Sequence, residues 1–364
     1  MSLDITISCL CKAHSFTESV PRENLPLSGT YCHCNSCRHV TGGMYTQGYL
    51  WYGPEEEIMK SDLKRYAISE NLLLFFCGTC STPLFGKSGK YICIPDGVLP
   101  NISEADLVRT KDHIFVEDTL DGGASNYMQT GNNDGLPIPR WNGYRQTKVD
   151  PDWPSNEELK SLETKGDHIP FRCHCKGVDL LLERPTVTYA DPEKELPRFV
   201  DPESKKLVVS FDVCDSCRLS SGNSIWYWTF SNLSQISNPS GKPFPTTVQA
   251  LKAAADKGEL GTLGYYASSE DVQRYFCTTC SASVFYAVDE LPERVDIGVG
   301  LFDAPEGSRG ESFLLWEYGS IGWPDDVKGG WRESVVASIK QESDAWREKR
   351  GIDKTWRRKK DPQW

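Results

Sequence analysis

Cysteine spacing constrains this chain more than any other feature. Thiols cluster as Cys9 and Cys11, as Cys32, Cys34 and Cys37, and as Cys77 and Cys80. The groups return in the same order as Cys173 and Cys175, Cys214 and Cys217, and Cys277 and Cys280, leaving only Cys93 alone. Cys-x-x-Cys puts two sulfurs on one tight turn and Cys-x-Cys puts two more close by, which is what a metal site needs. Fourteen cysteines in 364 residues is too sparse for a disulfide-stapled scaffold, and such tight groups point to metal in a reducing compartment.

The recurrence is a tandem duplication. Tyr66–Phe85 and Tyr266–Phe285 agree at ten of 20 positions at an offset of 200. Cys9-x-Cys11-Lys12 returns as Cys173-x-Cys175-Lys176, and Cys34-x-Ser36-Cys37-Arg38 as Cys214-x-Ser216-Cys217-Arg218. The growing offset places insertions in the second copy, at Asp191–Lys206 (a surface loop) and Ser231–Leu260, the latter with a short helix at Thr246–Lys257. The reading divides the chain into copy 1 at 1–148, a linker at 149–167 with a helix at Asn156–Thr164, copy 2 at 168–331, and a C-terminal helix and basic tail at 332–364. Short β-rich runs bounded by Gly, Pro, Asn and Asp dominate the rest: Ile5–Ser8, Leu72–Phe76, Tyr91–Ile94, Lys206–Phe211, Ile225–Phe230, Val284–Val288 and Val295–Leu301. The expected fold class is mainly β. In Glu333–Arg350, Val335, Val336, Ile339 and Trp346 share one helical face. Cys93 reads as packing on a buried strand, and Trp51, Trp226 and Trp228 read as core more than pocket.

Composition narrows the function. The net charge of −11 argues against nucleic acid as a general partner. No apolar run reaches the roughly 18 residues of a membrane span. The N-terminus lacks the basic and apolar regions of a secretory signal. The expectation is an intracellular, reducing location, the cytoplasm first with the nucleus left open.

A structural zinc closes its tetrahedron with four ligands, whereas a catalytic zinc keeps three and an open position. Seven clustered cysteines in copy 1 are four plus three, which suggests one closed and one open site; spacing alone does not say which groups pair. Copy 2 has six, with Asp212 at the position of Cys32 and Val213 at that of His33. Asp212, Cys214 and Cys217 either hold a metal or form a degenerate site kept for shape. At least three zinc ions per chain follow.

These residues resemble a known family. Cys9-x-Cys11, Cys32-His33-Cys34-x-x-Cys37-Arg38-x-x-Thr41-Gly42, Phe76-Cys77-Gly78-x-Cys80 and His113-Ile114-Phe115-Val116 are similar to the glutathione-dependent formaldehyde-activating enzymes, a family that includes the centromere protein V-like domains. Copy 1 departs at Lys12-Ala13, where a glycine is usual; copy 2 departs at Asp212 and lacks a His-Ile-Phe-Val segment. The resemblance implies two zinc-binding Mss4-like β modules. It implies a structural zinc on Cys9, Cys11, Cys77 and Cys80, a counterpart on Cys173, Cys175, Cys277 and Cys280, and a catalytic zinc on Cys32, Cys34 and Cys37. The implied activity is carbon–sulfur lyase chemistry on a small thiol adduct of the S-hydroxymethylglutathione type, with glutathione as substrate or co-substrate. Three thiolates and Zn²⁺ sum to −1, which favours holding a substrate thiolate over activating water. His33 and His39 are candidates for handling the proton, and Arg38 for offsetting the negative cluster or binding a carboxylate. The two copies are expected to pack as an internal pseudo-dimer. Two alternatives stand beside the lyase: a non-enzymatic zinc module that binds protein, and a same-fold enzyme recruited to a secondary-metabolite thiol adduct.

Overall fold

The computed structural model describes residues 1–132, 135–164, 166–185, 197–355 and 359. Its first half opens with a hairpin, β1 (Ser2–Ser8) and β2 (Ser15–Pro21), followed by β3 (Leu27–Cys32), β4 (Thr46–Leu50), β5 (Lys64–Ser69), β6 (Leu72–Phe76), β7 (Pro83–Ser88), β8 (Tyr91–Pro95) and β9 (Val108–Ile114). The last seven form one sheet in the order β5-β6-β7-β8-β4-β3-β9, with β9 parallel to β3. Alternation along each strand buries one face: Tyr49, Phe75, Phe85, Ile92 and Ile94 pack with Ile5, Ile7 and Val20 of the hairpin. Cys32, Gly48, Gly86 and Cys93 fall on the opposite, partly exposed face. Cys93 is therefore not a core residue as its strand suggested, because Ile92 and Ile94 take the inward positions.

The second half repeats the plan. Its strands are β10 (His168–Arg172), β11 (Asp179–Glu183), β12 (Leu207–Asp212), β13 (Trp226–Asn232), β14 (Ile236–Ser237), β15 (Leu263–Ser269), β16 (Val272–Cys277), β17 (Ser283–Val288), β18 (Arg294–Gly298) and β19 (Leu314–Trp316). The main sheet runs β15-β16-β17-β18-β13-β12-β19, with β19 parallel to β12. Strand for strand this is the order of the first sheet, so the chain is mainly β and built as a tandem duplicate. The expected strand at Val295–Leu301 stops at Gly298 and turns into a 3-10 segment, where the Gly300 backbone packs on that of Gly42 and Gly43.

Helices are short except the last: α1 (Asn35–Thr41), α2 (Glu55–Lys60), α3 (Asn156–Leu162), α4 (Asp215–Ser221), α5 (Val248–Asp256) and α6 (Arg332–Lys349). Ser155 and Glu158 form a reciprocal capping box that starts α3 in the stretch expected to be a linker. In α5, Val248 and Leu251 dock inward. Along α6 the buried positions are Arg332, Val336, Ile339, Ser343 and Arg347, with Val335 and Trp346 half-buried beside them. Of the expected basic tail, all but residue 359 beyond residue 355 lies outside the described residues, as do positions 191–196 of the expected surface loop. Among the described residues, no helix is long and apolar enough to cross a membrane.

The halves meet through contacts that come in exchanged pairs. Ser81 Oγ donates to Ser281 O, and Ser281 Oγ to Ser81 O, both at 2.9 Å. Gly97 N donates to Gly222 O at 3.1 Å, and Gly300 N to Gly42 O at 2.9 Å. Arg218 Nη1 reaches Gly97 O at 2.6 Å, and Arg38 Nη1 reaches Gly300 O at 3.3 Å. Such reciprocity is what an approximate two-fold relation imposes on an interface. Tyr31, Tyr45 and Tyr127 of the first half share one apolar cluster with Phe211 and Tyr227 of the second.

Candidate metal centres

Two four-cysteine clusters close where the expected groups converge. In the first half the turn after β1 brings Cys9 and Cys11 against Cys77 and Cys80 at the end of β6. Cys9 and Cys11 sulfurs lie 3.5 Å apart, and Cys11 and Cys77 3.6 Å. In the second half Cys173 and Cys175 are 3.5 Å apart, and Cys175 and Cys277 3.4 Å, with Cys280 completing the group. Backbone N–H groups point at the sulfurs: Cys11 N at Cys80 (3.4 Å), His14 N at Cys9 (3.3 Å), Val178 N at Cys173 (3.3 Å) and Cys280 N at Cys277 (3.5 Å). Each knuckle ends in a left-handed residue: Lys12 and Lys176 at φ 61° and 60°, Ser81 and Ser281 at 66° and 74°. That conformation accounts for the glycine expected near Lys12; a lysine adopts it here at some strain.

Hydrogen bonds from neighbouring thiols hold Cys80 low in the first cluster and Cys277 low in the second, while the same crowding pushes Cys9 and Cys280 up. Each cluster crowds four sulfurs together, three from buried cysteines and one from a partly exposed cysteine, Cys11 or Cys175. The four suit one dication, whose Zn–S bonds of about 2.3 Å put tetrahedral sulfurs about 3.8 Å apart.

The third group is open. Cys32 ends β3, Cys34 caps α1, and Cys37 lies in its first turn. Cys34 and Cys37 each lie 3.5 Å from Cys32. Cys37 N donates to Cys34 Sγ at 3.4 Å. Hydrogen bonds from the Cys32 and Cys37 thiols, then from the Cys37 and Ser36 N–H groups, bring the Cys34 thiol down to about 3. Cys32 and Cys34 are partly exposed, and only Cys37 is buried. Three sulfurs with the spacing of a metal site and one side left uncovered fit an open zinc centre.

The candidate side chains around this centre go elsewhere. Alternation along the extended segment puts His33 opposite its two cysteine neighbours. Its ring is fully buried, with Nε2 2.9 Å from His113 Nδ1, while His113 Nε2 donates to Met128 O at 2.8 Å. Burial depresses both imidazoles, His113 to about 3. His39 lies at the junction of the halves, where Nδ1 donates to Arg172 O at 2.8 Å and Nε2 lies 2.9 Å from Asp303. Arg38 gives one nitrogen to Gly300 O and another to Asn35 Oδ1 at 2.8 Å. Sequence reasoning did not single out Asp118, whose carboxylate accepts from Asn35 N at 3.4 Å and so helps to seat α1.

The second half has the same frame with different fittings. Asp212, Cys214 and Cys217 converge. Asp212 Oδ1 accepts Cys214 N at 2.8 Å, and Arg274 Nη1 lies 3.6 Å from Cys217 Sγ. Asp326 accepts Asp215 N at 2.9 Å, as Asp118 does Asn35 N. Val213 N donates to Gly322 O, as His33 N does to Ile114 O. The counterpart of His113-Ile114-Phe115-Val116 is thus Ile321-Gly322-Trp323-Pro324. Phe115 and Trp323 both stand at positive φ, 55° and 62°.

Comparison with known families agrees with this geometry. Residues 4–118 match the model of a family described as glutathione-dependent formaldehyde-activating enzyme. No curated protein matches the chain.

Proposed function

Starting from a first half whose residues 4–118 match the model of the glutathione-dependent formaldehyde-activating enzyme family, we propose that the protein is a zinc-dependent carbon–sulfur lyase working at Cys32, Cys34 and Cys37. The single observation that supports this best is the triplet itself: three sulfurs at metal-site spacing with an uncovered side, beside two clusters that are closed. A scaffold needs only the closed clusters. Zinc bound by three thiolates supplies a place to hold a substrate sulfur as thiolate next to an electrophilic carbon.

The chain's own residues prepare that place. Hydrogen bonds from the Cys32 and Cys37 thiols, and then from amide groups at the start of α1, favour negative charge on Cys34, and Asp118 accepts Asn35 N to seat the helix. Beyond Cys32 the open face of the sheet presents Gly48, Gly86 and Cys93, so small side chains leave room for an adduct. A Cβ on Gly86 would meet nothing nearer than 4.0 Å. Arg38 places buried positive charge one turn from Cys34. The substrate class is a thiol adduct of a small aldehyde, with S-hydroxymethylglutathione as the first to try. The test follows C–S bond formation and cleavage with glutathione and formaldehyde, then with bulkier thiol adducts. Turnover lost on removing Cys34 supports the reading; no turnover of any thiol adduct moves a binding module ahead.

A further inference from the structure

We infer that the second half carries a binding site for a small organic anion with a flat aromatic body, anchored by Arg274. The cross-strand registers let the two sheets be compared position by position. In the first half one row across four strands reads Leu74, Gly86, Cys93, Leu50. The same row in the second half reads Arg274, Tyr286, Asp296, Phe230. One step along, Gly48 is replaced by Trp228. The bare face of the first sheet has become an aromatic, charged one.

This face opens into a cleft of about 1040 Å³, room for a small molecule. Arg274 is only 7% exposed. Its hydrogen bonds run to Ser216 Oγ (2.8 Å), Ser268 Oγ (3.3 Å) and Cys217 Sγ (3.6 Å), none of them a carboxylate. A guanidinium taken out of water and held by hydroxyls and a thiol retains a strong preference for an anion. The acids that line the cleft have hydrogen-bond or ionic partners of their own: Asp212 accepts Cys214 N, Asp326 accepts Asp215 N, Glu317 accepts Ser210 Oγ, and Asp296 pairs with Arg294.

The walls specify the rest of the ligand. Arg274 sits 5.0 Å from the Tyr286 ring centre, and Tyr286 and Trp228 rings are 6.2 Å apart. Trp323 stands at the rim, 64% exposed, on a backbone conformation that a bulky residue rarely adopts. An exposed indole held in that way over a cleft with aromatic walls suits stacking on a flat ring. The site is independent of the lyase reading, since it lies in the other half and has its own readout.

The test titrates 2-naphthoate into the full chain, followed by calorimetry and tryptophan quenching. Saturable binding at one site is expected. Arg274→Leu, which installs the residue the first sheet carries in that register, weakens it tenfold or more, and Trp323→Ala weakens it severalfold. The neutral analogue 2-naphthylmethanol binds at least tenfold more weakly. Cys34→Ala, in the other half, leaves the affinity within twofold. If Arg274→Leu fails to fold, Trp323→Ala and the neutral analogue decide the matter. Absence of saturable binding below millimolar naphthoate overturns the proposal. So does wild-type affinity in the Arg274 and Trp323 variants that fold, or equal affinity for the neutral analogue, or loss of binding in Cys34→Ala.

Discussion

Cys34 caps a helix and belongs to the open sulfur triplet, while the structural clusters lie elsewhere. Cys34→Ala is therefore expected to abolish turnover of a thiol adduct while leaving the melting temperature within a few degrees, whereas Cys214→Ala keeps most of the activity. The reverse pattern would make the second half catalytic. Asp96 offers a different residue-level test. It is buried at the junction, with Oδ2 accepting Ser224 N at 3.2 Å and Oδ1 enclosed with no hydrogen-bond partner among the described residues. Burial lifts its carboxyl to about 7, against the pull of Ser224 and Arg332. Between the ordinary carboxyl value near 4 and about 7, the folded chain holds a proton that the unfolded chain releases. This group therefore subtracts stability as pH rises through that window, and the loss levels off above it. Within the window each pH step of one is worth about 1.4 kcal/mol. Asp96→Asn should melt several degrees above wild type at pH 8 and close to it at pH 4.5. A variant less stable at both pH values would mean that the carboxylate is ionised and paired.

At the scale of elements, the four-cysteine knuckles and α6 tie together parts of the chain that are far apart in sequence. Metal binding at a knuckle is folding free energy, so Cys77→Ser or Cys277→Ser should yield insoluble or strongly destabilised protein. Wild-type melting in both would show that these sulfurs are not ligands. Helix α6 clasps the first half: Trp331 donates to Pro100 O at 2.9 Å, and Glu342 accepts the N–H groups of Gln129 and Thr130. Glu342→Ala should cost about 2 kcal/mol or more, read from the urea midpoint, because these bonds involve a charged acceptor. The knuckles were legible in the sequence because ligation demands fixed residue types at fixed spacing. The repeat was legible for the same reason, and so were strands such as β6 and β17, where the apolar runs stand out. Ile321-Gly322-Trp323-Pro324 was not, since its match to His113–Val116 resides in backbone hydrogen bonds and one positive φ, which leave the side chains free to differ. The seven-residue helices α1 and α4 were missed because too few residues separate Cys34 from Gly42, or Cys214 from Gly222, to show a period; the left-handed glycines that end them were the available signal. His33 misled because nearness in sequence to a ligand says nothing about which side of an extended chain a ring takes.

On the scale of the whole molecule, two closed clusters and one open triplet predict at least three zinc ions per chain when the protein is made with zinc in excess. Elemental analysis finding one or none would contradict this. The shared apolar cluster predicts that residues 1–148 alone do not persist as a folded monomer, which sedimentation can check. The crossed tyrosines carry a further consequence. Tyr66 of the first half bonds His174, inside the second half's knuckle, at 2.7 Å, and Tyr266 lies against the first half's knuckle. Each metal loop is thus braced by the other half's sheet. An ion that orders one loop fixes the sheet that braces its neighbour, so uptake at the two closed clusters should be thermodynamically linked. A chelator titration would then release both ions in one cooperative step, and the chain would pass from fully loaded to empty with few half-loaded molecules between.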